Sequence, residues 1–282
     1  MISRKAYGKI NLSLDVLRRR EDNYHDLRMI MQEIDLSDSI YVEEIESDKI
    51  IIDSNDQNLP KDKDNIVYRV VERIKTEFEI KKGIKIFIEK NIPVSAGLAG
   101  GSTDAGTIIK ILNELWDLKL EKSRMVELTK DIGADIPFFI YGGTALSEGI
   151  GDIITPISSF SNRKILLVNP GIEVSTAYVY NNLELDTYLD RPETERLIRY
   201  INIGDTKSLA KNMKNVLESV TIKKYTIIDD IKADLMKFGA LGSMMSGSGP
   251  TVFGIFDNYE TIKNAFDNLS KKYEMVIMAK TM

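Results

Sequence analysis

Residues 93–106 read PVSAGLAGGSTDAG, with glycine at positions 97, 100, 101 and 106. An amphipathic helix is expected directly after this run. Each glycine costs roughly 0.5–1 kcal/mol against alanine in regular structure, so such a run serves something other than stability. Pro93 ends an expected strand, and Ser102, Thr103 and Asp104 offer N-cap side chains to the helix that follows. A helix start leaves backbone N–H groups unpaired and partly positive, and glycines let the backbone close around phosphate oxygens. A hydroxyl from Ser102 or Thr103 can ligate a magnesium ion carried by the phosphates. The alternative is a loop that only reverses the chain. Asp104 repels phosphates unless it points away as a cap. Neither GxxxxGK[ST] nor GxGxxG occurs, so the cradle is of another kind.

Working outward, residues 6–16 alternate, with Ala6, Gly8, Ile10, Leu12, Leu14 and Val16 set against Tyr7, Lys9, Asn11, Ser13 and Asp15. That is a strand with one buried and one polar face. Further strands are expected at 39–46, 49–53 and 84–90, with a helix between the last two carrying Ile66, Val67, Val70, Val71, Ile74 and Phe78 on one side. Helices are expected at 104–116 and 121–132, and IPFFIYGGTALSEG (136–149) reads as a return to strand. A polar, Ser-rich break near Thr155 to Asn162 divides the chain into two parts, 1–157 and 158–282. The second part reads as a strand at RKILLVNP, helices near 176–182, 193–202, 205–219 and 226–238, and two strands joined by the glycine-rich turn 246–250. A final strand, EMVIMAK, closes it. The mixture lacks regular strand–helix alternation, which makes the fold class α+β with two domains.

Composition narrows the function. The 282 residues carry 43% apolar side chains and a formal charge of −5, from 38 Lys and Arg against 43 Asp and Glu. A large core is available, and a nucleic-acid partner, which would demand a basic face, is not expected. The absence of cysteine removes thiolate chemistry, and the single histidine, His25, removes multi-histidine metal sites. No apolar run approaches the ~18 residues of a membrane span, so neither a membrane partner nor a location outside the cytoplasm is expected.

Two charged residues suit phosphoryl transfer to a hydroxyl. Lys9 shares the polar face of the first strand with Asn11, and Asp135 precedes an apolar run that should be buried. If they face one another, the aspartate accepts the hydroxyl proton while the lysine keeps it ionised and stabilises the transferring group. A surface lysine and a turn aspartate are the plainer alternatives.

PVSAGLAGGSTDAG and GSMMSGSGPTVFGIF resemble the second and third motifs of the GHMP small-molecule kinases, named for galactokinase, homoserine kinase, mevalonate kinase and phosphomevalonate kinase. The ordered set YGKINLSL, NYHDL, GGSTDA, GADIPFF and SGSGPTVFG is similar, from end to end, to the branch acting on 4-diphosphocytidyl-2-C-methyl-D-erythritol in the non-mevalonate isoprenoid pathway. The resemblance implies two α+β domains, an N-terminal ATP-binding one like ribosomal protein S5 domain 2 and a ferredoxin-like, substrate-binding C-terminal one, with the active site in the cleft between them. It implies ATP as donor, Mg2+, and transfer of the γ-phosphate to the tertiary 2-hydroxyl of a substrate bearing cytidine diphosphate. Lys9 and Asp135 match the catalytic pair. Pro93, Val94, Ser95, Ala96, Gly97, Leu98, Ala99, Gly100, Gly101, Ser102 and Thr103 match the ATP-phosphate loop, with Ser102 the candidate magnesium ligand, and Asn65 falls at a nucleotide contact. Gly247, Ser248 and Gly249 match a turn near the substrate diphosphate, and Tyr24, His25 and Tyr180 surround the cytosine. Asn11 is expected to orient the methylerythritol hydroxyls.

The chain departs from the family pattern at Ala99 and Gly106, and at Thr103 and Tyr180, where the hydroxyl and the aromatic face survive. Ala99 requires that its position avoid backbone conformations that only glycine tolerates. The alternatives are a homoserine- or mevalonate-type kinase of the same superfamily, or a silent nucleotide-binding relative. A monomer or weak homodimer is expected.

Overall fold

The computed structural model describes residues 1–185 and 190–282. They form two compact units that interleave along the chain. The first takes Met1–Gly8, Leu36–Val94 and Ala99–Gly142, and the second takes Lys9–Asp35, Ser95–Leu98 and Gly143–Met282. The two long strands β1 (Ile2–Arg19) and β2 (His25–Ile45) are each divided between the units.

In the first unit, β3 (Ile50–Ser54) pairs parallel with β4 (Gly83–Glu89), which pairs antiparallel with Ser39–Ile45 of β2. Between β3 and β4 lies α1 (Ile66–Glu77). Its buried residues Val67, Val70, Val71 and Ile74 fall at the three- and four-residue spacing of one helix face. They meet α2 (Gly100–Leu115) and the β4 side chains Ile84, Ile86 and Ile88 in one core. Then come α3 (Lys122–Thr129) and α4 (Ile136–Tyr141).

Two sequence expectations fail here. IPFFIY is the helix α4, with Pro137 in its first turn and Gly142 closing it at φ +74°, so the strand resumes only after Gly143. A six-residue run with its first five residues all buried has no period with which to declare itself. The other failure concerns α2, which begins four residues earlier than expected. Its N-cap is Ala99 in the left-handed conformation (φ +56°, ψ +37°), with no side-chain cap. Ala99 therefore adopts the very backbone region it was expected to avoid. Asp104 is no cap either but a buried residue of the helix.

In the second unit, Leu27–Gln32 of β2 pairs antiparallel with β5 (Thr144–Gly149), which pairs with β6 (Ile153–Pro156). The chain continues through β7 (Lys164–Asn169), α5 (Thr176–Asn181), α6 (Thr194–Asn202) and α7 (Thr206–Asn212). It ends with α8 (Glu218–Lys224), α9 (Ile227–Lys237), β8 (Gly242–Met245), β9 (Val252–Phe256), α10 (Tyr259–Leu269) and β10 (Met275–Lys280). The last four strands form an antiparallel sheet in the order β10-β7-β9-β8, covered by α9 and α10. This is the ferredoxin-like arrangement. The single helix expected over 205–219 stops at Asn212 as α7, and a second helix, α8, begins only at Glu218 and runs on to Lys224. Among the described residues no helix is long and apolar enough to cross a membrane.

The polar row of β1 is also not what alternation implied. Lys9, Asn11, Ser13 and Asp15 are all buried. Each is satisfied by the protein: the Ser13 hydroxyl accepts the Ile30 N–H at 3.2 Å, and Asp15 accepts from Arg191 at 3.0 Å. Period two reports that successive side chains differ, not that the polar ones meet water.

Gly106, whose purpose the sequence left blank, has a steric one. A Cβ there would sit 2.6 Å from Cβ of Phe139, where α2 crosses α4. Gly106→Ala is expected to destabilise the protein by about 1–3 kcal/mol through overpacking, read as a lower urea midpoint at unchanged slope.

Candidate active site

The glycine run divides between the units at Val94/Ser95 and Leu98/Ala99. In the second unit, the Leu98 carbonyl accepts the Lys9 backbone N–H at 3.1 Å, and the Gly97 carbonyl accepts the Ser246 hydroxyl at 2.9 Å. Gly97 has φ +76°, and a Cβ on it would lie 2.1 Å from the Ser246 carbonyl oxygen. Only glycine allows the two loops to close on one another there.

The turn facing Gly97 joins β8 to β9. Gly247 and Gly249 are left-handed, at φ +57° and +93°. The Gly247 N–H donates to Oδ1 of Asn11 at 3.0 Å, and the same oxygen accepts Nζ of Lys9 at 2.7 Å. Nδ2 of Asn11 donates to Sδ of Met29 at 3.3 Å. Lys9, Asn11, Gly97 and Gly247 thus come together, and Lys9 is only 5% exposed. The Ser248 hydroxyl shares a hydrogen bond with that of Thr176 at 2.8 Å.

In the first unit, the first helical bond of α2 runs from Thr103 N–H to Ala99 at 3.0 Å, which places the N–H groups of Gly100, Gly101 and Ser102 ahead of it. The Thr103 hydroxyl is committed to the Tyr7 carbonyl at 2.7 Å. Ser102 is half-buried near Gly133, and its hydroxyl is not spent on a hydrogen bond among the described residues. No cluster of three or more acidic or imidazole side chains able to hold a metal occurs among those residues. Magnesium binds through one or two protein groups and substrate phosphates rather than a protein cage. Of the two hydroxyls, Ser102 fits. Asp135 is half-buried at the start of α4, in the first unit, whereas Lys9 belongs to the second. Asn65 is buried and occupied as the cap of α1. Its Oδ1 accepts Val67 N–H at 2.9 Å, and its Nδ2 donates to the Pro60 carbonyl at 2.7 Å.

Behind the α2 start lies a feature that sequence reading missed. Lys90 donates to both Asp38 and Asp104 (2.8 Å to the latter), and all three are buried. Asp38 also accepts the Asn91 and Ile92 N–H groups at 2.6 and 2.8 Å. Burial pushes the Asp104 carboxyl up to about 8 against the pull of Lys90. Burial alone would depress Lys90, but the two carboxylates hold it above its ordinary range. The residue that follows β4 is thereby tied to the fifth residue of α2.

In the second unit, His25 and Tyr180 stack at 5.1 Å between ring centroids, tilted by 35°. They line a cleft of about 530 Å³ whose wall includes Arg18, Arg19 and Arg191. Burial, with help from Arg19, lowers the His25 pKa, so the imidazole is neutral at pH 7. Tyr24 is exposed in the preceding turn, outside the cleft wall.

Residues 65–143 match the family GHMP kinases N terminal domain, and residues 197–274 match GHMP kinases C terminal. The chain is 48% identical, over 99% of both sequences, to the 4-diphosphocytidyl-2-C-methyl-D-erythritol kinase of Clostridium botulinum strain Hall. It is 49% identical to that of Alkaliphilus oremlandii, covering 98% of this chain and 95% of the relative. A crystal structure of 4-(cytidine 5'-diphospho)-2C-methyl-D-erythritol kinase superposes with a TM-score of 0.86 at 26% identity, covering 99% of each chain. Homoserine kinase from Cytophaga hutchinsonii shares the fold, with a TM-score of 0.77 at 19% identity over 99% of this chain and 94% of that one.

Removing the cation from the buried cluster tests its weight. Lys90→Met takes the ammonium away from the buried Asp38 and Asp104 carboxyls, and a loss of about 3–5 kcal/mol is expected, measured by denaturant unfolding at pH 7.

Proposed function

The chain belongs to the GHMP kinases, within the family of 4-diphosphocytidyl-2-C-methyl-D-erythritol kinases, and from that premise we propose direct, in-line transfer of the ATP γ-phosphate to the 2-hydroxyl of 4-diphosphocytidyl-2-C-methyl-D-erythritol. The protein is an ATP-dependent small-molecule kinase of isoprenoid precursor synthesis. The observation that carries the substrate assignment is the His25–Tyr180 cleft. It offers a neutral imidazole, a phenol face and guanidinium groups in one wall. A cytosine presents a flat ring to stack, worth about 1–3 kcal/mol per aromatic contact, and a polar edge that a neutral imidazole can hydrogen-bond. The diphosphate attached to it is anionic, which suits Arg18, Arg19 and Arg191. Tyr24, one turn residue away, closes on the base when the substrate is bound.

Phosphoryl transfer of this kind needs positioning and charge neutralisation more than a protein nucleophile. The loop from Pro93 to Thr103 holds the ATP phosphates, with the bare backbone at Gly100 and Gly101 and the α2 start facing them. Asn65 shapes the nucleotide edge from the cap of α1. Ser102 would hold magnesium together with the phosphates, and the ion would supply charge neutralisation on the nucleotide. Asp135 takes the proton of the acceptor hydroxyl. Lys9 neutralises charge on the transferring group, and Asn11 holds that ammonium while orienting the methylerythritol hydroxyls. Gly247, Ser248 and Gly249 receive the substrate diphosphate. We place the enzyme in the cytoplasm as a monomer or weak homodimer, with neither nucleic acid nor membrane as partner.

A coupled assay with CDP-methylerythritol, run beside mevalonate and homoserine, tests the substrate. Turnover of the first alone is expected, and activity confined to the other two defeats the reading. Asp135→Asn is expected to lower kcat by about 10²–10⁴ with the ATP dissociation constant nearly unchanged, and near-full activity removes Asp135 from the role of base. The cytidine contact has its own pH signature. Because the His25 pKa is lowered, KM for CDP-methylerythritol is expected to stay flat on acidification past the ordinary histidine value of about 6.5 and to rise only below it. His25→Gln, which cannot take up that proton, abolishes the acidic rise.

A further inference from the structure

Three hydrogen-bonding side chains lie at 215, 218 and 221, the spacing of one helix face leading into α8. All three are directed at the β8–β9 turn. Asn215 gives both hydrogens of its amide to that turn: Nδ2 donates to the Met245 carbonyl at 2.9 Å and to the Gly247 carbonyl at 2.7 Å. Its Oδ1 accepts the Leu217 N–H at 3.0 Å, which fixes the amide's orientation. Glu218 accepts the Met245 N–H at 2.8 Å and is itself paired with Lys232 at 2.6 Å. The Thr221 hydroxyl donates to the Ser248 carbonyl at 3.3 Å. Asn215 and Thr221 are buried, with 1% and 0% exposure.

Gly247 is therefore gripped from two sides by two asparagine amides. Its carbonyl is held by Asn215, and its N–H is held by Asn11, whose Oδ1 also receives the Lys9 ammonium. The segment that carries Asn215 binds β1 as well. Leu14 N–H donates to the Lys214 carbonyl, and Val216 N–H donates to the Leu14 carbonyl, each at 3.0 Å. One stretch of three residues thus sets both the strand that carries Lys9 and the turn against which Lys9 is oriented. A left-handed glycine with no side chain to anchor it would otherwise swing about its own backbone bonds.

We propose that Asn215, assisted by Glu218 and Thr221, is the positioning residue for Lys9, acting through Gly247 and Asn11. It touches no substrate; it fixes the turn, the turn fixes the Asn11 amide, and the amide fixes the ammonium. This inference rests on the role given to Lys9 in the proposed function. A residue that only stabilised the fold would lower the melting temperature and leave turnover per folded molecule intact.

The test compares Asn215→Asp, Asn11→Ala and the double variant in kcat, in KM for ATP and for CDP-methylerythritol, and in the Lys9 side-chain NMR resonances of the ligand-free protein. Asn215→Asp keeps the acceptor for Leu217 and removes both donors. It is expected to lower kcat by up to about a hundredfold with little change in KM for ATP, and to move the Lys9 resonances. Because both variants break one chain of contacts, the double variant is expected to be about as slow as the slower single one. Losses that multiply, or Lys9 resonances that do not move, overturn the inference. Where Asn215→Asp does not fold, Thr221→Val keeps the side-chain volume. It must then give a smaller kcat loss that is likewise non-additive with Asn11→Ala, and unchanged turnover overturns the inference. If the unaltered protein does not phosphorylate CDP-methylerythritol, the substrate reading fails, and the Lys9 resonances alone decide whether Asn215 positions the ammonium.

Discussion

One carbonyl oxygen holds the chemistry of the second unit together. Oδ1 of Asn11 receives the Lys9 ammonium and the Gly247 N–H, so a strand near the amino terminus and a turn near the carboxyl terminus meet on a single atom. The residue type matters. A carboxylate at position 11 would bond both donors equally well but would also cancel the positive charge of Lys9. An amide orients the ammonium while leaving its charge to act on phosphoryl oxygen. The cost is that, among the described residues, the Asn11 amide nitrogen finds only the Met29 sulfur, a weak acceptor.

Lys90, the lysine of the buried cluster in the first unit, is held in the opposite way. It sits between two carboxylates, and its charge is spent on structure. One oxygen of Asp104 still lacks a hydrogen-bond partner among the described residues. A buried carboxylate in that state favours its protonated form, in keeping with its raised pKa. A neutral Asp104 also answers the objection that an acidic residue at the fifth position of a helix proposed to bind phosphate at its start would repel its ligand. The repulsion is removed by Lys90 and by burial, and not by capping.

How much of this was legible in the sequence differs by element for physical reasons. The face of α1 and the β8–β9 turn could be read because period and glycine content report local geometry directly. α4 could not be read from its period, although Pro137 near its start and Gly142 at its end were signals available without it. Helix α10, with Asn258 as its cap and Ile262, Ala265 and Leu269 inward, carried an ordinary amphipathic pattern that the reading passed over. Ala99 carried no signal at all, since a left-handed alanine is permitted by its surroundings and not by its type. Burial of Lys9, Asn11, Ser13 and Asp15 was equally hidden, because the Gly247 N–H on Asn11 and the Arg191 guanidinium on Asp15 lie more than a hundred residues away. Lys9, Asn11 and the loop were singled out by strand alternation, glycine content and motif. Asn215, Glu218 and Thr221 had the right spacing to be noticed, but their partners are backbone groups, which leave no mark in a sequence.

The glycine run shows why composition alone misleads about a site. Its four glycines answer to different constraints. Gly106 makes room for Phe139 within the first unit, and Gly97 lets the loop approach Ser246 within the second, so packing alone accounts for glycine at both. At Gly100 a Cβ would crowd the Ile92 side chain and the Lys90 ammonium at 3.1 and 3.2 Å, which ties this residue to the buried ion cluster. At Gly101 a Cβ would meet nothing closer than an ordinary contact, 3.5 Å to Ile66, and the residue is exposed. Packing therefore makes no demand for glycine at 101, where the backbone lies bare ahead of the first bond of α2. Of the four, Gly101 is the one for which close approach of a ligand to the main chain is the remaining physical reason.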